Sequence, residues 1–177
     1  MSYITTFTGK HFDPIDSIKE DIDIKDIAHS LSLICRANGH VKYFYSVAQH
    51  SIACCQEAKA RGYSRRIQLA CLLHDASEAY LSDVTRPIKG RLTEYLEVEE
   101  ALQNTIWNQY LECPLTKEEE KQVFEIDDDM LSYEFHLLMP ETISDRYQYV
   151  ISQPNLEFKN PRDVESELIE LVNMLLS

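Results

Sequence analysis

Apolar residues recur at the spacing of amphipathic helices through most of the chain. Ile27, Leu31 and Ile34 form one such stripe, and a second stripe follows Pro161. A repeat of three to four positions is the period of a helix that buries one face. We therefore predict helices at about 24–37, 46–61, 65–80, 91–111 and 116–139, and a last helix from about 161 to the C-terminus.

The starts of these predicted helices carry residues that cap helices. Side chains able to accept a hydrogen bond from the first backbone N–H groups stand at Asp23, Ser46, Ser64, Thr116 and Asn160. Residues 1–22 lack a helical period and are expected to form turns or short extended pieces. Since no linker or repeat interrupts the pattern, we predict one all-α domain over 1–177, built as a single helical bundle.

The composition supports this fold class and excludes several partners. The chain has 177 residues with only four glycines and six prolines, which disfavours a many-turned β architecture. Its net charge of −13 provides no basic stripe, so neither nucleic acid nor an anionic membrane is an expected partner. Five cysteines without a CxxC pair, and the lack of a signal peptide or of an apolar run near the ~18 residues of a membrane span, predict a cytoplasmic protein.

Candidate chemistry lies at the ends of apolar stretches. His50 falls on the second predicted helix, His74 and Asp75 close the third, and Asp127 falls on the fifth. Burying such groups without partners costs several kcal/mol, and a divalent cation gives them a common partner. Two imidazoles and two carboxylates suit manganese, cobalt, zinc, nickel or iron. The helical count alone leaves Asp128 open as the alternative to Asp127.

The motifs around these residues resemble a known family. The segments are "DIAHSLSLICRANGH", "FYSVAQHS", "LACLLHDASEAYLSDVTRPIK" and "IDDDMLSYEFHLLMP". They resemble the HD-domain superfamily of metal-dependent phosphohydrolases, in the branch with 5′-deoxynucleotidases, small phage and bacterial HD hydrolases and phage deoxynucleoside triphosphohydrolases. The resemblance covers roughly residues 3–140, and its motif core is 24–139. It implies the fold and the metal more specifically than the substrate.

The resemblance also implies roles for individual residues. The implied metal ligands are His50, His74, Asp75 and Asp127. Glu78 matches the residue that orients or deprotonates the attacking water, and Asp83 matches a second acid beside the reacting phosphate. Arg36 and Lys89 match basic positions near the phosphate. His40 is a further candidate, at the mouth of the substrate site.

One departure from the superfamily indicates how many metal ions to expect. Members with two metals use extra histidines between the His-Asp pair and the last aspartate, but no histidine occurs from Ala76 to Ile126. We therefore expect one divalent transition metal, with magnesium accompanying the substrate phosphates as an option. The same departure argues against a cyclic-dinucleotide phosphodiesterase or an iron oxygenase.

Several functions fit this prediction. The first is hydrolysis of a (deoxy)nucleoside 5′-phosphate, favoured because a triphosphate needs more lysines and arginines than the motif offers, although Arg86, Lys89 and Arg91 do cluster. The alternatives are a triphosphohydrolase that releases triphosphate from a dNTP such as dATP, and a 2′,3′-cyclic nucleotide phosphodiesterase. A non-catalytic nucleotide-binding HD module belongs to a different class, and it predicts a broken tetrad that is not seen. The expected partners are a small-molecule nucleotide and further copies of the chain in a homo-oligomer.

Overall fold

A computed structural model describes residues 3–140 and 150–177 of the chain. The predicted domain 1–177 also contains residues 1–2 and 141–149, which lie outside this description. The described residues form eight α-helices: α1 (Ile24–Leu33), α2 (Val47–Ala60), α3 (Arg65–Leu72), α4 (Glu78–Leu81), α5 (Arg86–Lys89), α6 (Thr93–Tyr110), α7 (Lys117–Leu138) and α8 (Pro161–Leu176). Two strands of two residues, β1 (Ile4–Thr5) and β2 (His11–Phe12), pair antiparallel near the N-terminus. The predicted all-α fold is confirmed.

The capping residues act as their types predict. Asp23, Ser64 and Asn160 each accept a hydrogen bond from a backbone N–H in the first turn of the following helix. Ser46 with Gln49, and Thr116 with Glu119, form complete capping boxes at the starts of α2 and α7. These local interactions explain why the predicted starts of these helices agree with the structure.

The first helix is shorter than predicted. We expected it to reach residue 37, but α1 ends at Leu33 and Ile34 adopts an extended conformation. The chain there pairs with the segment before α2: Val47 N donates to Ile34 O at 3.0 Å and Arg36 N donates to Tyr45 O at 2.9 Å. Backbone pairing with a distant segment replaces the last helical turn.

The third helix also departs from the prediction. We expected a continuous helix over 65–80, but α3 ends at Leu72 and α4 begins at Glu78. Tight turns fill the gap, with Ala76 N donating to Leu73 O at 3.1 Å. Gln103 of α6 satisfies the backbone groups that the break leaves open, because its amide donates to Leu73 O and accepts from Ser77 N. His74 and Asp75 therefore lie in a turn.

The fourth predicted helix is slightly shorter, since 91–111 becomes Thr93–Tyr110. The chain between the third and fourth predicted helices contains the four-residue helix α5. One cluster of buried side chains runs from Phe12 to Leu175 and draws on α1, α2, α3, α6, α7 and α8. Helix α2 packs against α1, α3, α7 and α8, so its residues lie at the centre of the bundle. Within the described part of the chain, every helix is too short or too polar to cross a membrane.

Candidate metal and substrate site

Four residues from three separate elements meet beside α2. The Nε2 atom of His50 lies 3.1 Å from Oδ1 of Asp127 and 3.8 Å from Oδ2 of Asp75. The Nε2 atom of His74 lies 3.3 Å from Oδ2 of Asp75 and 3.6 Å from Oδ1 of Asp127. The structure thus brings together the four residues that the sequence pointed to as metal ligands. We call this group the His50 centre.

The break after α3 orients one of the two histidines. His74 Nδ1 donates a hydrogen bond to the carbonyl of Cys71 at 2.7 Å, so Nε2 turns toward the two aspartates. That Nε2 atom is buried and makes no aligned hydrogen bond within residues 3–140 and 150–177. A continuous helix would have engaged the Cys71 carbonyl in its own backbone ladder. The unexpected turn is therefore what presents His74 to the centre.

A buried carboxylate orients the other histidine. Both Oε atoms of Glu134 lie 3.0 Å from His50 Nδ1, and Tyr45 donates its hydroxyl to the same carboxylate at 2.9 Å. A proton on Nδ1 shared with Glu134 leaves Nε2 facing Asp127, which is how carboxylates commonly fix metal-binding histidines. Sequence reasoning missed Glu134 and Tyr45. The signal for Glu134 was its position seven residues after Asp127, which places both on one face of α7.

The electrostatics of the centre favour a positive charge. Burial and the Arg36 guanidinium lower the pKa of His50, but the Glu134 and Asp127 carboxylates outweigh them and hold it well above its ordinary value. Burial also raises the pKa of Asp127, yet the hydrogen bond of His50 and the nearby charge of the His74 ring hold it far below its ordinary value. Ionised carboxylates around imidazole nitrogens attract a cation, which can be a proton or a metal.

The donor atoms suit a divalent transition metal. Two imidazole nitrogens and two carboxylate oxygens converge, and one nitrogen has no aligned partner among the described residues. Cys54 is a further sulfur near both histidines. Its Sγ lies 3.6 Å from Nε2 and 4.0 Å from Nδ1 of His50, so it packs beside the ring instead of along the Nε2 lone pair. Burial also raises the pKa of Cys54 to about 11, and both facts favour the carboxylates as ligands.

The structure separates the two aspartates that the helical count left open. The side chain of Asp127 is 14% exposed and faces both histidines. The side chain of Asp128 is 65% exposed, and it pairs with Arg86 at 2.7 Å. Asp127 is therefore the member of the pair that reaches the centre.

The two acids expected to handle protons lie beside the His50 centre. Glu78 is buried at the start of α4, and its Oε2 atom has no hydrogen-bond partner within the described ranges. Burial, with the nearby charges of Asp75 and Asp83, raises the pKa of Glu78 well above its ordinary value. Asp83 is half-buried and lines the same cavity as Glu78. The predicted helix at 65–80 would have contained both His74 and Glu78, but in the structure the turn separates them.

The predicted substrate-binding residues occupy different environments. Arg36 is buried, with NH1 3.3 Å from Asp75 and NH2 3.8 Å from Glu134, and its Nε lacks a partner in the described part of the chain. Lys89 is engaged with Glu99 of α6 at 2.7 Å. His40 is exposed at the rim. All three line the cavity, which is compatible with contact to a substrate. Their roles in substrate binding stay predictions.

A cavity of about 1140 Å³ opens from the centre. Its apolar wall consists chiefly of Leu96, Trp107, Phe124, Leu131, Phe135 and Met139. Trp107 contributes an indole Nε1 that is buried and unpartnered among the described residues. The volume is slightly above the range of about 300–1,000 Å³ typical of small-molecule pockets. Its lining combines this apolar surface with acids beside the candidate metal ligands.

Comparison with known proteins identifies relatives but no activity. No family model matches the chain. It is 44% identical over 110 residues to the uncharacterized protein YfdR of Escherichia coli strain K12, an alignment that covers 62% of this chain and 59% of YfdR. It is 41% identical over 101 residues to an uncharacterized protein of Rhodobacter capsulatus, covering 54% of this chain and 51% of that protein. The chain thus spans little more than half the length of these relatives.

Proposed function

We propose that this protein is a metal-dependent phosphohydrolase that removes the phosphate from a (deoxy)nucleoside 5′-phosphate. The observation that carries the proposal is the His50 centre, where two imidazole nitrogens and two carboxylate oxygens meet within 3.1–3.8 Å at one end of a large cavity. The resemblance of the surrounding motifs to HD-domain phosphohydrolases supports the same proposal.

His50, His74, Asp75 and Asp127 would hold one divalent transition metal. When bound, such an ion supplies a Lewis acid for the phosphoryl oxygens and lowers the pKa of water. Glu134 holds His50 in the tautomer that directs Nε2 to the centre, and the Cys71 carbonyl does the same for His74. The protein therefore fixes the two nitrogen donors before any ion arrives.

Glu78 is the group that would accept the proton of the attacking water. Its free oxygen is buried beside Asp75, and burial raises its pKa, which makes the carboxylate a stronger proton acceptor. Asp83 lines the same cavity and would relay the proton taken up by Glu78 to the leaving nucleoside oxygen. Arg36, buried beside Asp75, would neutralise negative charge that develops on the phosphoryl group.

The charges of the cavity favour one phosphate over three. Of the described residues that line it, eight are acids: Asp75, Glu78, Asp83, Glu99, Glu100, Glu120, Asp127 and Asp128. Three are arginine or lysine, namely Arg36, Arg86 and Lys89. A triphosphate would meet strong repulsion from this lining, whereas the apolar wall and the Trp107 N–H suit the sugar and base of a nucleoside.

A dNTP triphosphohydrolase is the second candidate. Two observations favour it: the cavity is large, and Arg86 and Lys89 lie together on the short helix α5 at its edge. Both reactions would use the same metal ligands, and only the products distinguish them.

The homo-oligomer stays a prediction. The cytoplasmic location is also an inference, supported by five cysteines that are all free thiols.

A substrate screen tests the proposal. Metal-stripped protein is restored with manganese, cobalt, zinc or magnesium and offered nucleoside mono- and triphosphates and cyclic nucleotides. Chromatography should show phosphate and nucleoside from monophosphates, and Asp127→Asn should show none. Triphosphate plus nucleoside from dNTPs would select the second candidate. Stoichiometric metal binding without turnover of any nucleotide would overturn the proposal and favour a nucleotide-binding module.

A further inference from the structure

The cations around the His50 centre differ in how firmly the protein engages them. Lys89 forms a 2.7 Å ion pair with Glu99, and its side chain is 23% exposed. The side chain of Arg36 is 10% exposed and lies between Asp75 and Glu134. Arg86 is different, because its side chain is 58% exposed while its guanidinium reaches the centre. Of the lysines and arginines that line the described cavity, it can exchange its partners most easily.

The contacts of Arg86 place it beside a metal-ligand candidate. Its NH2 group donates to Oδ2 of Asp127 at 2.7 Å, while Oδ1 of the same carboxylate faces His50. Its NH1 group donates to Asp128 at 2.7 Å. The guanidinium thus borders the centre from α5 and spans two carboxylates of α7. A phosphate also presents paired oxygens, and arginine binds them through two parallel hydrogen bonds.

A second arginine contacts the other carboxylate of the centre. Arg36 lines the cavity and donates to Oδ2 of Asp75 at 3.3 Å, and its buried Nε has no partner within the part of the chain that the structure describes. A buried N–H without a partner is costly, and a phosphate oxygen is a suitable acceptor for it. Arg36 and Arg86 therefore approach the same centre from two different elements.

We propose that Arg86 is a phosphate-binding residue, which exchanges its carboxylate partners for the phosphate of the substrate and acts together with Arg36. This inference rests on the proposed function, since it assigns the phosphate to the His50 centre. It adds a residue to which the family resemblance gave no role. The phosphate-binding role that the resemblance implies for Lys89, which is paired with Glu99, stays a separate prediction.

The competing account is that Arg86 is only a latch between α5 and α7. Asp128 separates the two accounts, because it anchors Arg86 but is exposed and does not face the histidines. If Arg86 is only a latch, replacing Arg86 and replacing Asp128 should change the phosphate affinity equally. Removing Asp128 from a phosphate-binding arginine instead frees one edge of the guanidinium for the phosphate.

The test measures the affinity of manganese-loaded protein for inorganic phosphate by titration calorimetry. Arg86→Gln should weaken phosphate binding by about tenfold to a hundredfold, the loss expected for charge-assisted hydrogen bonds. Arg86→Lys should retain part of the affinity, since lysine keeps the charge but loses the fork. Asp128→Asn should bind phosphate at least as tightly as the unchanged protein. Arg91→Gln removes an exposed charge five residues away and is the matched control.

Equal losses in Arg86→Gln and Asp128→Asn would overturn the proposal in favour of the latch, as would unchanged phosphate affinity in Arg86→Gln. Manganese affinity and the thermal midpoint, measured on each variant, show whether a loss comes from the metal centre or from folding. Phosphate binding is measured without turnover. Failure to hydrolyse any nucleotide would therefore count against the proposed function alone, and the titration would still decide the role of Arg86.

Discussion

Two of the buried polar residues of helix α2, His50 and Glu57, have opposite surroundings. His50 and Glu57 are both 0% exposed and lie seven residues apart, about two turns of the helix. From the sequence alone, each is a costly group to bury. The difference between their surroundings separates a structural cluster from a functional one.

Glu57 is fully satisfied by groups of the protein. One oxygen accepts hydrogen bonds from Arg61 Nε at 2.7 Å and from the backbone N–H of Ile151 at 3.1 Å, and the other accepts from Ser152 N at 2.8 Å. Arg61 continues to Asp129 at 2.7 Å. The cluster ties α2 to α7 and to the chain before α8. Because these four hydrogen bonds already pair its charged groups, the cluster has little capacity left to bind a ligand.

The His50 centre shows the reverse. Within the described residues, buried atoms of three neighbouring side chains lack hydrogen-bond partners: His74 Nε2, Glu78 Oε2 and Arg36 Nε. The pKa values of His50, His74 and Asp127 are all shifted by mutual contacts. Such shifts and unsatisfied groups concentrate at functional sites.

Burial of polar groups is common to both regions. In the Glu57 cluster the Ser152 hydroxyl lacks a partner among the described residues, but the charged groups of Glu57 and Arg61 are paired. At the His50 centre, atoms of ionisable groups are left unpaired within the same described ranges, as expected for a ligand-binding site.

Asp127→Asn should produce the largest effect. It removes a carboxylate oxygen that lies within 3.1 Å of His50 and 3.6 Å of His74, so metal retention and turnover should both be lost. Metal content after dialysis, together with phosphate release, measures the change. Asp128→Asn is the neighbouring control and should retain the metal. Full activity in Asp127→Asn would rule out the His50 centre as the metal site that the reaction uses.

Glu78→Gln should separate chemistry from metal binding. We expect turnover to fall by about a hundredfold to ten-thousandfold, the usual contribution of a general base, while one equivalent of metal stays bound. The stability should not fall, because an uncharged amide replaces a carboxyl group whose buried charge is unfavourable. Glu97→Gln, an exposed change on α6, should leave the turnover number intact. An unchanged turnover number in Glu78→Gln would rule out its role as base.

Glu57→Gln should have the opposite profile. Breaking this buried cluster should lower the free energy of unfolding by about 3 kcal/mol, measured by denaturant titration, without changing metal content. Burial raises the pKa of Glu57, but the backbone N–H of Ser152 and the other donors outweigh it and lower the value. Its contribution to stability is thus complete above the ordinary pKa of about 4.3 and disappears as the pH falls through the folded value. The gap between the two proteins should narrow in acid, and a constant gap would contradict this assignment.

Glu134→Gln should produce the smallest of these effects. Removing the carboxylate that holds His50 Nδ1 should weaken metal affinity by about tenfold to a hundredfold, measured by competition with a chelating dye. Tyr45→Phe, which removes one hydrogen bond to the same carboxylate, should have a weaker effect in the same direction. Glu125→Gln lies on an exposed turn of α7 and should leave metal affinity unaltered. Equal affinities in all three variants would show that His50 needs no orienting partner.

Local signals in the sequence predicted much of the fold. The caps at Ser46, Thr116 and Asn160 act within a few residues, and the helices after them agree closely with the predicted ranges. The ends of α1 and α3 depend on distant partners. Tyr45 pairs with the chain after α1, and Gln103 of α6 satisfies the backbone after α3. Periodicity within a segment contains no information about such partners.

The same division holds for the site. The four candidate ligands stand out in the sequence because histidines and acids end apolar stretches. Glu134 was accessible through its helical spacing from Asp127, but Arg86 was noted only as part of a basic cluster. Its contacts to Asp127 and Asp128 join residues more than 40 positions apart across a loop whose course the sequence did not predict.

The most direct test of the His50 centre is a crystal soaked with manganese or cobalt, with diffraction collected at the absorption edge of the metal. We expect one anomalous peak about 2.0–2.2 Å from the Nε2 atoms of His50 and His74, with Asp75 and Asp127 as the other two protein ligands. A peak bonded to the sulfur of Cys54 in place of the carboxylates would contradict this ligand set. No peak at saturating metal would contradict the metal centre itself.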